Sequence, residues 1–226
     1  MTCFSFHPVK GIAAGEGGMI TTNDESLYHK LTLLRSHGIT KGNFEFPGIS
    51  KPDNSLINKD EALENGELKR WYYEQQYLGY NYRITDIQCA LAISQMNKID
   101  LFLDARKSMV KYYDQAFSGI PNITPLQTHG RENSSHHIYV VSIDFDKAGV
   151  TRHQFMEKLA EQGVGSQVHY IPVVSQPYYQ ELGYKVQQYS ITDAYYQSTL
   201  SIPLYYGLSD VDQRLVISSI RKLLGK

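Results

Sequence analysis

The apolar positions of this chain switch between a period of two and a period near 3.6, and the switches mark its elements. Met19-Ile20-Thr21-Thr22 follows the glycine-rich turn Gly15-Glu16-Gly17-Gly18, and its branched side chains predict a short strand. Asn23 or Asp24 then stands where a cap is needed for a helix that places Leu27, Leu31 and Leu34 on one face. This is a strand-to-helix unit of an α/β layer. Residues 41–76 hold no sustained period and are punctuated by Pro47, Pro52, Asn54, Asn58, Asn65 and Gly66, which predicts a long excursion loop. Thr85 and Gln88 have the spacing of a capping box, and Ile87, Leu91 and Ser94 open a helical face that continues towards Tyr113. A break near residues 97–100 makes this one long helix or two abutting ones.

After Pro121 a smaller α/β pattern begins, with an expected strand at residues 138–145. Thr151 and Gln154 form a second capping-box pair, Phe155 and Leu159 give the following helix a buried face, and Gly163 stops it. Gln167-Val168-His169-Tyr170 reads as the end of a strand, and Ser209 with Asp212 starts a final helix carrying Val211, Leu215 and Leu223. The expected division is residues 1–105, which include the excursion loop and linking helix, and residues 106–226.

Composition narrows the function. With 226 residues and 42% hydrophobic content the chain has enough apolar material for a real core. A formal net charge of -1 offers no basic excess for nucleic-acid phosphates, although a local anion pocket would not show in the total. Cys3 and Cys89 lie far apart without a partner motif, which fits a reducing compartment and makes the cytoplasm the expected location. There is no signal-peptide pattern, and no apolar run approaches the roughly 20 residues that span a bilayer, so no membrane association is expected. Tyrosine occurs 18 times, clustered at 72–73, 77–82, 178–179, 195–196 and 205–206, as suits packed or half-buried interface surfaces.

One lysine departs from the surface norm. Lys10 ends the apolar frame Phe4-Ser5-Phe6-His7-Pro8-Val9 just before the glycine-rich turn, and an amine that forms a Schiff base has to be partly withdrawn from water. Most lysines are solvated charges, so the frame alone decides little. The combination is more specific. Ser5-Phe6-His7-Pro8-Val9-Lys10 followed by Gly15-Glu16-Gly17-Gly18 resembles the lysine motif of the DegT/DnrJ/EryC1/StrS sugar aminotransferases. The resemblance continues at Arg35-Ser36-His37-Gly38, at residues 78–88 (Leu-Gly-Tyr-Asn-Tyr-Arg-Ile-Thr-Asp-Ile-Gln) and at Leu200-Ser201-Ile202-Pro203-Leu204, in the family's order.

The resemblance implies an aspartate-aminotransferase-like α/β fold, pyridoxal-phosphate fold type I. This chain would be its carboxyl-terminal half: the end of the large cofactor-binding domain plus a small α/β domain. It implies pyridoxal 5'-phosphate as cofactor and Lys10 as the Schiff-base lysine that also shuttles the proton at the substrate carbon. Ser5 falls where the family sets a hydroxyl on the cofactor phosphate, against the alternative of a serine satisfying nearby backbone. Asn81 matches an asparagine that reaches the phosphate of the partner's cofactor, which implies a homodimer; a purely structural hydrogen-bonding role is the alternative. Arg83 suits a phosphate or a structural carboxylate equally. His37 is expected to order the turn after its helix, while His169 and Tyr170 lie in a motif that lines the sugar-nucleotide site in relatives. His129, His136 and His137 lack the ligand spacing of a zinc site.

The family also places an aspartate against the pyridine nitrogen and an aromatic residue over the ring, upstream of the lysine. Only nine residues precede Lys10, so the expectation is an incomplete active site and an isolated chain that does not transaminate. Lysine at position 10, where some relatives carry histidine, favours transamination over dehydration. Trp71-Tyr72-Tyr73-Glu74-Gln75 and residues 167–172 with 176–179 resemble the members that serve pseudaminic acid synthesis. These move an amino group from glutamate to a UDP-linked 4-keto-6-deoxy sugar for surface glycans. A sister nucleotide-sugar specificity and a non-catalytic binding or assembly fragment are the alternatives.

Overall fold

The computed structural model describes residues 1–40, 62–65, 67–126, 130–131 and 133–225. They divide into two compact units, Met1–Asn97 and Lys98–Lys226.

In the first unit, β1 (Thr2–Ser5) and β2 (Gly18–Thr21) form an antiparallel ribbon in the register Thr2 to Thr21 through Ser5 to Gly18. Helix α1 (Glu25–Arg35) follows at once because Asp24 caps it, its carboxylate accepting from Leu27 N–H at 2.9 Å. Leu27, Leu31 and Leu34 are half-buried and the buried position is Leu33, one residue off the expected stripe. Of the expected excursion loop, residues 41–61 lie outside the described residues. Within residues 62–76, β4 (Leu63–Glu64) and β5 (Glu67–Leu68) make a short hairpin, and β6 (Glu74–Gln75) pairs with β3 (Ile39–Thr40). Helix α2 (Asp86–Met96) starts at the capping box the sequence announces, with Thr85 and Gln88 exchanging side-chain and backbone bonds. Its Ile87 and Leu91 are exposed, contrary to a buried face, and no residue of α2 is buried.

The second unit begins with α3 (Ile99–Phe117), so the linking segment is two helices that meet at residues 97–98. Its sheet is antiparallel in the order β7 (Ile123–Pro125), β8 (Tyr139–Ile143), β9 (Thr199–Ile202). Strand β8 alternates as a half-covered strand should, with Tyr139, Val141 and Ile143 buried and Val140 and Ser142 half-buried. A one-turn helix α4 (Phe145–Ala148) leads to α5 (Arg152–Glu161), held by the second capping box at Thr151 and Gln154. Helices α6 (Pro177–Glu181) and α7 (Ser190–Ser198) precede β9, and α8 (Asp210–Leu223) closes the chain, packing against α3 and α5.

The core joins Tyr113 and Phe117 of α3, the inward side of β8, Phe155 and Leu159 of α5, and Leu200 and Ile202 of β9. The final helix contributes Val216, Ile217, Ile220 and the following Leu224 to it. This corrects the expected face: Val211 and Leu215 are exposed and Leu223 is half-buried. The sequence holds two apolar stripes on this helix, and packing against α3 and α5 puts the 216/217/220/224 stripe in the core. Polar groups pin the unit from within. Arg106 Nη1 donates to the carbonyls of His136, His137 and Leu204, each at 3.1 Å, and Tyr113 Oη donates to Pro203 O at 2.8 Å. Asp114 receives Arg131 Nη2 at 2.5 Å and Tyr139 Oη at 2.7 Å. The tyrosine clusters named above stay largely on the surface, while the buried tyrosines are Tyr113 and Tyr139. Among the described residues no helix is long and apolar enough to cross a membrane.

Candidate active site

The ribbon β1–β2 supplies the lysine. Phe6 N–H donates to Gly17 O and Ala14 N–H to Phe6 O, both at 2.9 Å, so residues 7–13 form a loop with its base tied. A turn inside that loop, Lys10 N–H to His7 O at 2.9 Å, sets Lys10 half-buried, while Val9 beside it is exposed. Ser5 Oγ accepts from His7 N–H at 3.4 Å, a long bond that leaves the hydroxyl proton without an acceptor among the described residues. His7 faces Glu16 across the same loop, Nε2 to Oε1 at 3.9 Å. Ser5, at the end of β1, therefore adjoins the base of the loop that carries Lys10.

The glycine-rich turn does more than reverse the chain. Gly17 adopts φ +130°, and a Cβ there would lie 2.9 Å from Ile84 Cδ1. Gln88 Nε2 donates to Glu16 O at 3.0 Å. The lysine loop is thereby joined to residues 84–88, immediately after Asn81 and Arg83. Those two residues are held by a second junction. His37 and Gly38 end α1 in the left-handed region (φ 63° and 69°), and the chain at 79–82 runs beside them. His37 N–H donates to Tyr80 O and Tyr80 N–H to Leu34 O, both at 2.7 Å, and Tyr82 N–H donates to Arg35 O at 2.9 Å. Asn81 bridges Ser36. His37 thus orders the turn after its helix. Asn81 and Arg83 are exposed, and neither side chain is hydrogen-bonded or ion-paired among the described residues.

His169 and Tyr170 belong to the second unit. Gln167 exchanges two backbone bonds with Ser201, at 3.0 and 2.8 Å, which carries the chain alongside β9. His169 Nδ1 then lies 2.7 Å from Ser201 Oγ, and its ring meets that of Tyr170 edge to face at 4.6 Å. Sequence reasoning quoted Ser201 within a motif and gave it no role; only the strand pairing reveals it. A cavity of about 850 Å³ in this unit lies between β8 and α5 and is lined by Asp144, Thr151, Arg152 and Gln197, none of them a candidate. Arg152 is already engaged there, donating to Tyr196 O and lying 4.4 Å over the Tyr196 ring. Among the described residues no three histidine, cysteine or acidic side chains gather as metal ligands; His129 lies outside the described residues.

Residues 1–221 match the sequence profile of the DegT/DnrJ/EryC1/StrS aminotransferase family. The chain belongs to this family. Among its curated relatives the aminotransferase-family chain is 36% identical to the spore coat polysaccharide biosynthesis protein SpsC of Bacillus subtilis, over 99% of its own length and 53% of the relative's. It is 30% identical to the UDP-4-amino-4,6-dideoxy-N-acetyl-beta-L-altrosamine transaminase of Campylobacter jejuni, covering 100% of itself and 53% of that protein. Its fold is that of solved sugar aminotransferases. Helicobacter pylori PseC, an aminotransferase involved in the biosynthesis of pseudoaminic acid, superposes with a TM-score of 0.81 at 28% identity, over 99% of this chain and 53% of PseC. A putative sugar aminotransferase of Streptococcus pneumoniae in its PMP form gives 0.78 at 26% identity, with 99% and 53% coverage. The chain spans about half the length of the curated relatives it matches.

Proposed function

We propose that this chain is the lysine-bearing, carboxyl-terminal half of a pyridoxal-phosphate-dependent nucleotide-sugar aminotransferase. The observation that supports it is the lysine loop: Lys10 lies in a tied loop adjoining Ser5, and Ile84 and Gln88 join its glycine turn to the segment bearing Asn81 and Arg83. As a donor set this is an amine, a hydroxyl, an amide and a guanidinium, with exposed groups that suit a dianionic phosphate and one amine for an aldehyde. The residues therefore fit the phosphate and aldehyde ends of the cofactor.

Bound pyridoxal phosphate supplies an electron sink for the carbon that exchanges its amino group. Lys10, the only lysine of residues 1–21, holds the aldehyde end and moves the proton through Nζ. Ser5 donates its free hydroxyl proton to the phosphate. Asn81, fixed beside the end of α1 by the backbone bridge to Ser36, serves the phosphate of the partner in a homodimer. Arg83 adds a charge at the mouth of the site. His169 and Tyr170 form part of the wall for the sugar nucleotide. The substrates are a UDP-linked 4-keto-6-deoxy sugar of the pseudaminic acid type and glutamate as amino donor. The free thiols of Cys3 and Cys89 and the absence of any basic excess fit a cytoplasmic enzyme without nucleic-acid partners. The likeness to SpsC supports a sister specificity, a different nucleotide sugar of surface polysaccharide handled by the same lysine.

The test is covalent. The chain incubated with pyridoxal phosphate and reduced with borohydride should carry the cofactor's mass on the peptide containing Lys10, and Lys10→Ala should remove it. Labelling spread over other lysines, unchanged in Lys10→Ala, would sink the proposal.

A further inference from the structure

Ser201 has no part in the reaction as set out above, yet it is the partner of His169. It sits in β9, where its backbone N–H and C=O are both taken by Gln167, so only its side chain is free to act. The residue is 6% exposed and its Oγ lies 2.7 Å from His169 Nδ1. The chain beyond it cannot drift, because Tyr113 holds Pro203 O and Arg106 holds Leu204 O from α3.

Two proton arrangements are compatible with this distance. If Nδ1–H donates to Oγ, the serine proton needs another acceptor, and Oγ has none among the described residues. If the serine O–H donates to Nδ1, the buried hydroxyl and the ring nitrogen satisfy each other. A buried hydroxyl left without an acceptor is the costlier state, so the second arrangement wins. A neutral imidazole that accepts at Nδ1 carries its proton on Nε2. Nε2 bonds to no protein group among the described residues, which leaves it for a ligand.

We infer that Ser201 is a positioning residue: its O–H fixes His169 as the Nε2–H tautomer, giving the site a directed neutral hydrogen-bond donor for an oxygen of the nucleotide sugar. The ligand half of this inference rests on the reading of His169 as a sugar-nucleotide residue; the tautomer half rests on the geometry alone. A ring fixed in this way presents Nε2–H in one direction, so its role is to orient an oxygen of the ligand.

The experiment uses the full 226-residue chain with ¹⁵N-labelled histidine, the His169 signals being assigned by their loss in His169→Asn. Two-bond ¹H–¹⁵N correlations should show wild-type His169 near neutral pH with Nε2 protonated and Nδ1 as acceptor. Ser201→Ala should give averaged tautomers, and Ser201→Thr, which keeps the hydroxyl, should restore the single one. A wild-type ring that is averaged or protonated at Nδ1 overturns the inference without any variant. UDP is the ligand probe: it should shift the Nε2 resonance, with about twofold weaker binding in Ser201→Ala, because averaged tautomers leave Nε2–H populated about half the time. A fixed Nε2–H tautomer that millimolar UDP leaves unmoved refutes His169 as the ligand's donor and the sugar-wall reading with it, while the role of Ser201 stands.

Discussion

Replacing Gly38 by alanine probes the junction that carries Asn81 and Arg83. Gly38 sits at φ +69°, and a Cβ built there would lie 1.9 Å from the carbonyl oxygen of Tyr77. The left-handed conformation costs an L residue about 1–2 kcal/mol. The clash is with backbone, so no rotamer relieves it. Residues 76–80 would have to peel away from the end of α1. That loses Gln76 N–H to Gly38 O at 2.8 Å and strains the two 2.7 Å bonds of Tyr80 with His37 and Leu34. At about 1 kcal/mol net for each bond, the local cost is roughly 4–5 kcal/mol. Since about 1.4 kcal/mol is a factor of ten, amides of residues 76–82 should exchange with solvent at least about a hundredfold faster. Hydrogen exchange read by mass spectrometry on peptides covering this segment measures it. Gly11→Ala is the control in the same unit, because a Cβ there meets nothing within 4 Å and its φ is ordinary. If Gly38→Ala left exchange within about threefold of wild type, the reasoning from close backbone approach would be refuted.

Other perturbations follow the same logic. Phe155, fully buried and edge-on to Phe145, should cost roughly 3–5 kcal/mol in urea unfolding when changed to alanine and under about 1.5 when changed to leucine. Thr85→Ala removes the capping box of α2 and should destabilise its first turn by about 1 kcal/mol, seen as faster exchange at residues 86–90. The phenols of Tyr113 and Tyr139 are held above their ordinary range, first by burial and, for Tyr139, also by its bond to Asp114. With the folded value above the unfolded one, stability is whole below about pH 10 and drains as pH rises beyond it. Urea midpoints between about pH 8 and 11 should show this loss, and Tyr139→Phe should make it shallower; an unchanged slope would contradict the assignment.

The amino-acid order by itself determined what is local. Asp24, Thr85 and Thr151 cap the helices that follow them because a cap needs only a side chain and amides two or three residues on. The branched, apolar run at residues 139–143 announced β8, because strand preference is read residue by residue. The lysine motif was legible for the same reason, since Ser5, Lys10 and the glycine turn lie within one β-ribbon and its loop. Tertiary structure decided the rest. The final helix has more than one apolar stripe, and only the fit against α3 and α5 selected Val216, Ile217 and Ile220 over Val211 and Leu215. A helical period at Ile87 and Leu91 said nothing of what would cover it. Arg106 reaches carbonyls some 30 and 98 residues away, and Ser201 meets His169 across 32 residues, by pairings that the sequence does not spell out. Local hydrogen bonds repeat at fixed offsets and can be read along the chain. Packing partners are chosen by the shape of the whole core, and no spacing records them.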